Sequence, residues 1–134
     1  MIEAKLAITD SELKTIRMAM KQLGTLNALC IYGYWNKDKC IGGAYLQSQF
    51  PNELVMEFYT HCPTIVKAIG QSYSGMLKLK PQLNAKIEIT NYKSLKMVKM
   101  LGFVKLYTAD NKIAVQFDAK NWRYKKRYPL ELQL

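Results

Sequence analysis

The segment 86–103, KIEITNYKSLKMVKMLGF, constrains the fold of this chain more than any other part of it. Ala85, just before it, and Ile87 and Ile89 within it are apolar residues in alternation, which is the two-residue period of a half-buried strand. Asn91 follows, and asparagine is a favoured N-cap because its side chain accepts a hydrogen bond from a free amide of the first helical turn. The pattern predicts a strand that leads directly into a capped helix.

The helix predicted after Asn91 has a clear apolar face and a clear end. Leu95, Val98 and Leu101 recur at helical spacing, and three lysines occupy the flank. Gly102 follows, and glycine readily takes the left-handed conformation that ends a helix. Taken alone, the unit is also compatible with an ordinary strand–turn–helix, so the order of the other elements matters.

The remaining sequence predicts strands and helices in a definite order. Thr9 and Glu12 form a capping-box pattern, which predicts a helix that ends at Gly24. Pro63 suits the first turn of a second helix. The predicted strands are Ala4–Ile8, Ala28–Trp35, Cys40–Leu46, Leu54–Tyr59, Ala85–Ile89, Val104–Tyr107 and Ile113–Phe117, and the helices run from Thr9 to Gly24, from Pro63 to about Leu79 and from Asn91 to Gly102.

This order, with Asn91 eleven residues before the Gly102-Phe103 pair, resembles the GNAT N-acetyltransferase superfamily over residues 4–117. The resemblance implies an α/β fold of the α+β type. Its mixed, mostly antiparallel sheet would splay open between the fourth strand, Leu54–Tyr59, and the fifth, Ala85–Ile89, with about three helices around it. The chain is also similar to the small GNAT-like proteins of T7-type phages, which keep the Asn-to-Gly helix and lack a convincing phosphate loop.

The resemblance implies acetyl-CoA as cofactor, with its pyrophosphate on backbone amides at a helix N-terminus. The nearest match to the family's Gln/Arg-x-x-Gly-x-Gly/Ala loop is 67–72, where serine replaces the second small residue. The alternative is that amides of 60–64 bind the phosphates directly, with Lys67 nearby. The predicted cofactor-binding residues are Tyr59, Thr60, Lys67, Gly70, Ser72, Asn91 and Ser94.

The same resemblance suggests catalytic groups. In many family members a tyrosine seven residues after the capping Asn acts as the general acid that protonates the departing thiolate of CoA. This chain has Val98 at that position. Glu57, in the fourth strand, is the expected general base. His61 is the second choice because its unperturbed pKa suits proton transfer near neutrality. The alternatives are that Glu57 is an outward-facing charge and that His61 is a loop residue.

Charge is unevenly distributed, and this suggests an anionic partner. The net charge is +10, and residues 61–134 contain fourteen basic and four acidic side chains. Residues 1–119 are predicted as a GNAT-like domain and 120–134 as a basic, aromatic tail whose apolar end could dock on the domain. The residues expected to contact nucleic acid or an acidic protein are Trp122, Arg123, Lys125, Lys126 and Arg127. The alternative is that Trp122 and Tyr124 pack on the body of the domain.

Three cysteines without metal-ligand spacing indicate a reduced, cytoplasmic setting, the host cytoplasm or virion if the chain comes from a phage, and no metal site. No apolar run is long enough for a membrane span.

The resemblance and the charge distribution suggest two alternative functions. The first is transfer of an acyl group from acyl-CoA to a small-molecule or protein amine by direct attack in the cleft between strands 54–59 and 85–89. The second is a catalytically inactive GNAT-fold phage protein that binds protein or nucleic acid in assembly or host takeover.

Overall fold

The computed structural model of the chain describes residues 1–21 and 27–132. Gly24, where the first helix is predicted to end, and the last two residues of the predicted tail lie outside these ranges. In chain order the elements are β1 (Ile2–Leu6), α1 (Asp10–Ala19), β2 (Ala28–Asn36), β3 (Lys39–Gln47), β4 (Leu54–Phe58), α2 (Ile65–Met76), β5 (Leu83–Glu88), α3 (Tyr92–Leu101), β6 (Val104–Ala109), β7 (Lys112–Phe117) and a 3-10 turn (Ala119–Asn121).

The strands form two antiparallel sheets, one in the order β1-β2-β3-β4 and the other in the order β5-β7-β6. Within the described residues no hydrogen-bonded ladder joins β4 to β5, so the sheet opens at that point. The predicted α+β fold, with a splay between the fourth and fifth strands and three helices, is confirmed. The first strand lies two residues earlier than predicted, because Ile2 is buried whereas Ile8 is 82% exposed.

The three helices cover opposite faces of the sheets. On one face α1 packs through Ile16 and Met20 against Ile31 and Tyr45. Its N-terminus carries the predicted capping box, in which Thr9 and Glu12 exchange hydrogen bonds. On the other face α2 and α3 enclose the main core, whose largest buried side chains are Tyr34, Tyr73, Phe117 and Trp122.

The diagnostic unit around α3 folds as its sequence predicts. Asn91 Oδ1 accepts a hydrogen bond from the amide of Ser94, 3.2 Å away. Gly102 ends the helix in the left-handed conformation, with φ +114°. A Cβ at this position would overlap the backbone carbonyl of Asn121. The glycine therefore serves the turn and also lets the C-terminal segment approach closely.

The C-terminal segment packs against the domain over its described residues. Trp122 is 1% exposed and belongs to the main core, and Tyr124, Tyr128 and Leu130 pack against that core. The indole Nε1 donates to the carbonyl of Tyr128 at 2.7 Å. The predicted separation of a tail at 120 is therefore corrected: this segment completes the core, since a large aromatic ring from it fills the space beneath α2.

None of the helices within 1–21 and 27–132 is long and apolar enough to cross a lipid bilayer.

Candidate active site

The splay between β4 and β5 contains a cleft of about 530 Å³. In the described structure, β4 is paired only with β3, and β5 only with β7. The facing strand edges therefore carry backbone N–H and C=O groups that no neighbouring strand satisfies. Such groups can bind an extended, amide-containing ligand as an additional strand would.

The cleft has an apolar side and a charged side, because successive residues of a strand point to opposite faces. Residues of the main core form its interior: Leu54, Met56, Phe58, Tyr73, Ala85, Ile87, Met97, Val98 and Phe103. The other side carries charged groups: Glu53, Glu57, Lys86, Glu88 and Lys112. The interior can shelter a reacting group from water, while the charged side can receive a polar substrate.

An ion pair crosses the cleft on its charged side. Lys86 Nζ, from β5, lies 3.5 Å from Glu53 Oε1, just before β4. Both side chains are partly exposed, so the pair contributes little to stability. It does place a cation and an anion across the cleft from each other.

Glu57 is a buried carboxylate with defined partners. It is 9% exposed and lies on the same face of β4 as Val55, which packs against the cluster around α1. Its Oε1 accepts hydrogen bonds from the amide of Lys21, at 2.9 Å, and from the hydroxyl of Tyr59. These donors hold the carboxylate in one orientation within the wall of the cleft, so the alternative of an outward-facing charge is wrong.

Several solved structures share this architecture. FeeM, an N-acyl amino acid synthase from uncultured soil microbes, matches with a TM-score of 0.66 and 12% identity, over 95% of each chain. An N-acetyltransferase from Staphylococcus aureus Mu50 matches with 0.60 and 14% identity, over 88% of this chain and 97% of its own. The N-acetyltransferase PseH from Campylobacter jejuni matches with 0.59 and 12% identity, over 87% and 97%, and a second PseH structure contains acetyl coenzyme A.

The chain has the GNAT N-acetyltransferase fold. No protein-family model and no curated protein matches its sequence. At 12–14% identity the likeness establishes the fold alone. The similarity to phage proteins stays a prediction.

The phosphate loop predicted at 67–72 is wrong, because these residues lie inside α2. Lys67 points towards β1, with Nζ 3.4 Å from Glu3 Oε1. Gly70 lies under the ring of Trp122. Ser72 is fully buried, and its hydroxyl contacts Tyr34 Oη at 2.9 Å. Ser72 therefore has no surface to offer a ligand.

The turn before α2 fits the alternative site better. The amides of residues 65–67 bond to carbonyls within the turn, and the amide of Cys62 bonds to Thr60 Oγ1. In the described part of the chain, the amides of Thr60 and His61 have no hydrogen-bond partner within the protein. Thr64 caps α2 without a side-chain hydrogen bond. Successive free backbone amides in a turn are suited to an anion.

The other predicted residues fall into two groups. Asn91 and Ser94 line the cleft, and Val98 is buried in its wall. Tyr59 is half-exposed beside Glu57. His61 is exposed in the turn after β4 and is not among the described residues that line the cleft. The structure therefore brings Glu57 and Asn91 to one cleft and leaves His61 outside it.

Sequence reasoning missed Tyr73, which lines the cleft from α2. Its position on the apolar face of the helix indicates only that it belongs to the core. The neighbouring sequence does not show that it lines the cleft between β4 and β5.

The C-terminal residues predicted to contact nucleic acid or an acidic protein include one buried residue and four exposed ones. Trp122 is buried, so its prediction as a stacking surface is wrong. Four basic residues of this segment are exposed, and their contact with nucleic acid or an acidic protein stays a prediction: Arg123, Lys125, Lys126 and Arg127. No group of His, Cys, Asp and Glu within residues 1–21 and 27–132 could hold a metal ion.

Proposed function

We propose that this protein is an acyl-CoA-dependent N-acyltransferase. The observation that carries the proposal is the cleft between two unpaired strand edges with the buried, oriented carboxylate of Glu57 in its wall. Solved proteins of the same fold include N-acetyltransferases and an N-acyl amino acid synthase. The substrate class proposed here is a small-molecule or protein amine.

The residues present fit a CoA thioester as acyl donor. The amide groups of a pantetheine arm match the unpaired edge of β4, which would bind it as an added strand. The free amides of Thr60 and His61, in the turn before α2, suit the pyrophosphate. The basic excess of residues 61–134 favours a polyanionic ligand.

Glu57 would act on the amine. An amine attacks a thioester only when it is unprotonated, so a base must accept a proton from the attacking nitrogen. Glu57 is the buried carboxylate of the charged side, and the donors from Lys21 and Tyr59 fix its direction. The amine nitrogen forms a bond to the carbonyl carbon, the carbon–sulfur bond breaks, and the proton passes through Glu57 to solvent.

Calorimetric titration with acetyl-CoA, at low and at higher salt, tests the proposal. We expect micromolar affinity that persists in salt, since apolar contacts and strand-like hydrogen bonds are not screened. Binding that disappears at higher salt would indicate a general attraction of anions to a basic protein. Absence of binding at millimolar acetyl-CoA would exclude the enzyme and leave a protein of this fold that acts through its exposed basic residues.

Replacement of the base gives the second test. Glu57→Gln should lower the rate of amine acylation by about 10²–10⁴-fold, the usual contribution of a general base, and leave acetyl-CoA affinity unchanged. Glu3→Gln, an exposed change outside the cleft, is the matched control. His61→Ala should have little effect. A large loss with His61→Ala and none with Glu57→Gln would transfer the role of base to the histidine.

A further inference from the structure

The exposed side of α3 is basic along its length. Lys93, Lys96 and Lys99 recur every third residue, and all three side chains are exposed. The helix contains no acidic residue. Because residues three apart are neighbours on a helix surface, the lysines form a stripe rather than a ring.

The C-terminal segment extends this stripe. The amide of Arg123 donates to the carbonyl of Leu101, the last residue of α3, at 3.4 Å. A Cβ on Gly102 would overlap the carbonyl of Asn121, so residues 120–123 lie directly against the end of the helix. The exposed basic side chains of this segment therefore begin where those of α3 end.

Farther along, the same segment reaches α2. A cavity of about 230 Å³ lies between α2 and the segment, and both Lys67 and Arg127 line it. Basic side chains thus continue from α3 through the segment to α2. We call this the basic surface, and its members are Lys67, Lys93, Lys96, Lys99, Lys120, Arg123, Lys125, Lys126 and Arg127.

Little acidic charge balances the basic surface. The stretches 93–99 and 120–127 contain eight basic residues and no acidic one. Among the described residues none of these eight forms an ion pair, whereas Lys67 pairs with Glu3 at 3.4 Å. Asp118 lies beside the segment, and its Oδ1 accepts a hydrogen bond from the amide of Lys120 at 2.9 Å. Positive charges crowded in this way repel one another, and a bound polyanion would relieve the repulsion.

A nucleic acid fits the basic surface better than an acidic protein does. Protein–protein interfaces are depleted of lysine and have an apolar centre. Here six of the eight basic residues in 93–99 and 120–127 are lysines, and the large apolar side chain of the segment, Trp122, is buried. Interfaces with nucleic acid are, by contrast, polar and strongly positive.

The distribution of aromatic rings favours a duplex over a single strand. Proteins that bind single strands stack the bases on exposed aromatic side chains. In the segment Trp122 is buried, and Tyr124 and Tyr128 are only partly exposed. Tyr92 is 76% exposed, but it lies in the first turn of α3, at the opposite end of that helix from Arg123. The basic surface therefore offers charge to phosphates without a row of rings for unpaired bases.

We propose that the basic surface binds the phosphate backbone of a double-stranded nucleic acid without reading its sequence. Lysines that contact phosphates release condensed counterions, so the affinity falls steeply as salt rises. Binding at this surface does not require catalysis in the cleft, so it and the acyltransferase activity can be present or absent separately.

Fluorescence anisotropy with short labelled DNA and RNA duplexes of mixed sequence, over a series of salt concentrations, tests the proposal. We expect dissociation constants of about 10⁻⁶–10⁻⁴ M near physiological salt. A plot of log affinity against log salt should have a slope of about −0.9 for each phosphate contacted. Binding of either duplex supports the proposal, and the tighter of the two identifies the source of the phosphates.

Two double variants locate the contacts. Lys96→Gln with Lys99→Gln changes α3, and Lys125→Gln with Lys126→Gln changes the C-terminal segment. Each pair should reduce the size of the salt slope by about two, since each lysine accounts for about one phosphate contact. The affinity should weaken alike for duplexes of different sequence.

The matched control is Lys14→Gln with Arg17→Gln, which removes the same charge from exposed positions of α1, on the other face of the sheets. It should leave the slope unchanged. An equal loss in this control, or a loss confined to the C-terminal pair, would overturn the basic surface as the binding site. Tighter binding of a single strand, or equal binding of poly-L-glutamate, would overturn the choice of a duplex. Absence of binding to both duplexes at low salt would overturn the proposal as a whole.

Discussion

The hydroxyl of Tyr59 and the carboxylate of Glu57 form a pair whose pH behaviour can be worked out. The hydrogen bond to Glu57 raises the pKa of Tyr59 above its usual value, because the donor must stay protonated and the carboxylate repels a phenolate. Because the pKa of Tyr59 is higher in the folded protein than in the unfolded chain, the stabilisation from this hydrogen bond is fully present below the unfolded-state pKa. It is lost as the pH rises through the folded-state pKa. The orientation of Glu57 therefore persists throughout the neutral range.

Cys62 is the residue for which chemical reactivity can be predicted. Hydrogen bonds from Thr64, led by its side chain 3.0 Å from the sulfur, lower the pKa of this exposed thiol. Burial raises the pKa of Cys30 and of Cys40. Because the thiolate is the reactive form, iodoacetamide should modify Cys62 first at neutral pH. Mass spectrometry of the labelled peptides measures the order.

The control for this reactivity is Thr64→Val, which removes the side-chain hydrogen bond and should slow alkylation of Cys62 severalfold. Earlier labelling of Cys30 or Cys40 would contradict the prediction. So would a rate at Cys62 that does not respond to Thr64→Val.

At the scale of elements, α2 is where local resemblance and packing disagree. The segment 67–72 has the basic residue and the first glycine of a phosphate loop. However, Ile65, Ala68, Ile69 and Tyr73 form one apolar face that the core takes up only if the chain is already helical. Burial of that face decides the conformation, and the loop motif has no physical role here.

Ser72→Ala tests this assignment. The change should lower the free energy of unfolding by about 1–3 kcal/mol, because the buried hydroxyl of Tyr34 loses its partner, and it should leave acetyl-CoA affinity unchanged. Urea denaturation and calorimetric titration measure the two effects.

Ser94→Ala, in the wall of the cleft, is the matched comparison for this change. It should alter stability by no more than about 0.5 kcal/mol and weaken acetyl-CoA binding. Loss of affinity in Ser72→Ala without loss of stability would restore the loop at 67–72.

At the scale of the whole molecule, the C-terminal segment closes the core. The ring of Trp122 packs on Tyr73 and Phe117, and the amide of Arg123 bonds to the carbonyl of Leu101. The same segment presents exposed basic residues to solvent. This segment therefore supplies both a buried aromatic side chain and exposed positive charge. Its composition alone does not show which of its residues are buried and which are exposed.

Trp122→Ala should lower the free energy of unfolding by about 3–5 kcal/mol, the usual cost of truncating a large buried aromatic side chain. Chemical denaturation measures this. The control, Arg123→Gln, changes an exposed neighbour and should stay within about 0.5 kcal/mol of the wild type. If both variants lost a similarly small amount of unfolding free energy, the segment would not be part of the core.

Interactions between residues close in the chain determined much of the fold. The Thr9–Glu12 capping box, the Asn91 cap and the Gly102 exit each involve neighbours within a few residues, and the structure confirms all three. The alternation predicted for 85–89 holds from Lys86 to Glu88, whereas Ile89 follows the end of β5 and is 37% exposed. The order of the elements resembles that of the GNAT superfamily, and this resemblance implied the splayed sheet.

Only tertiary structure decided the surroundings of the candidate site. Glu57 is oriented by the amide of Lys21, which follows α1, and the Tyr73 hydroxyl reaches Met56 on β4 from α2. Trp122 enters the core from 49 residues beyond Tyr73. Contacts between residues far apart in the chain depend on how whole elements pack, and local periodicity does not specify which partner an apolar or polar side chain will meet. The sequence alone therefore determined the elements and their order, and packing determined which side chains meet in the cleft.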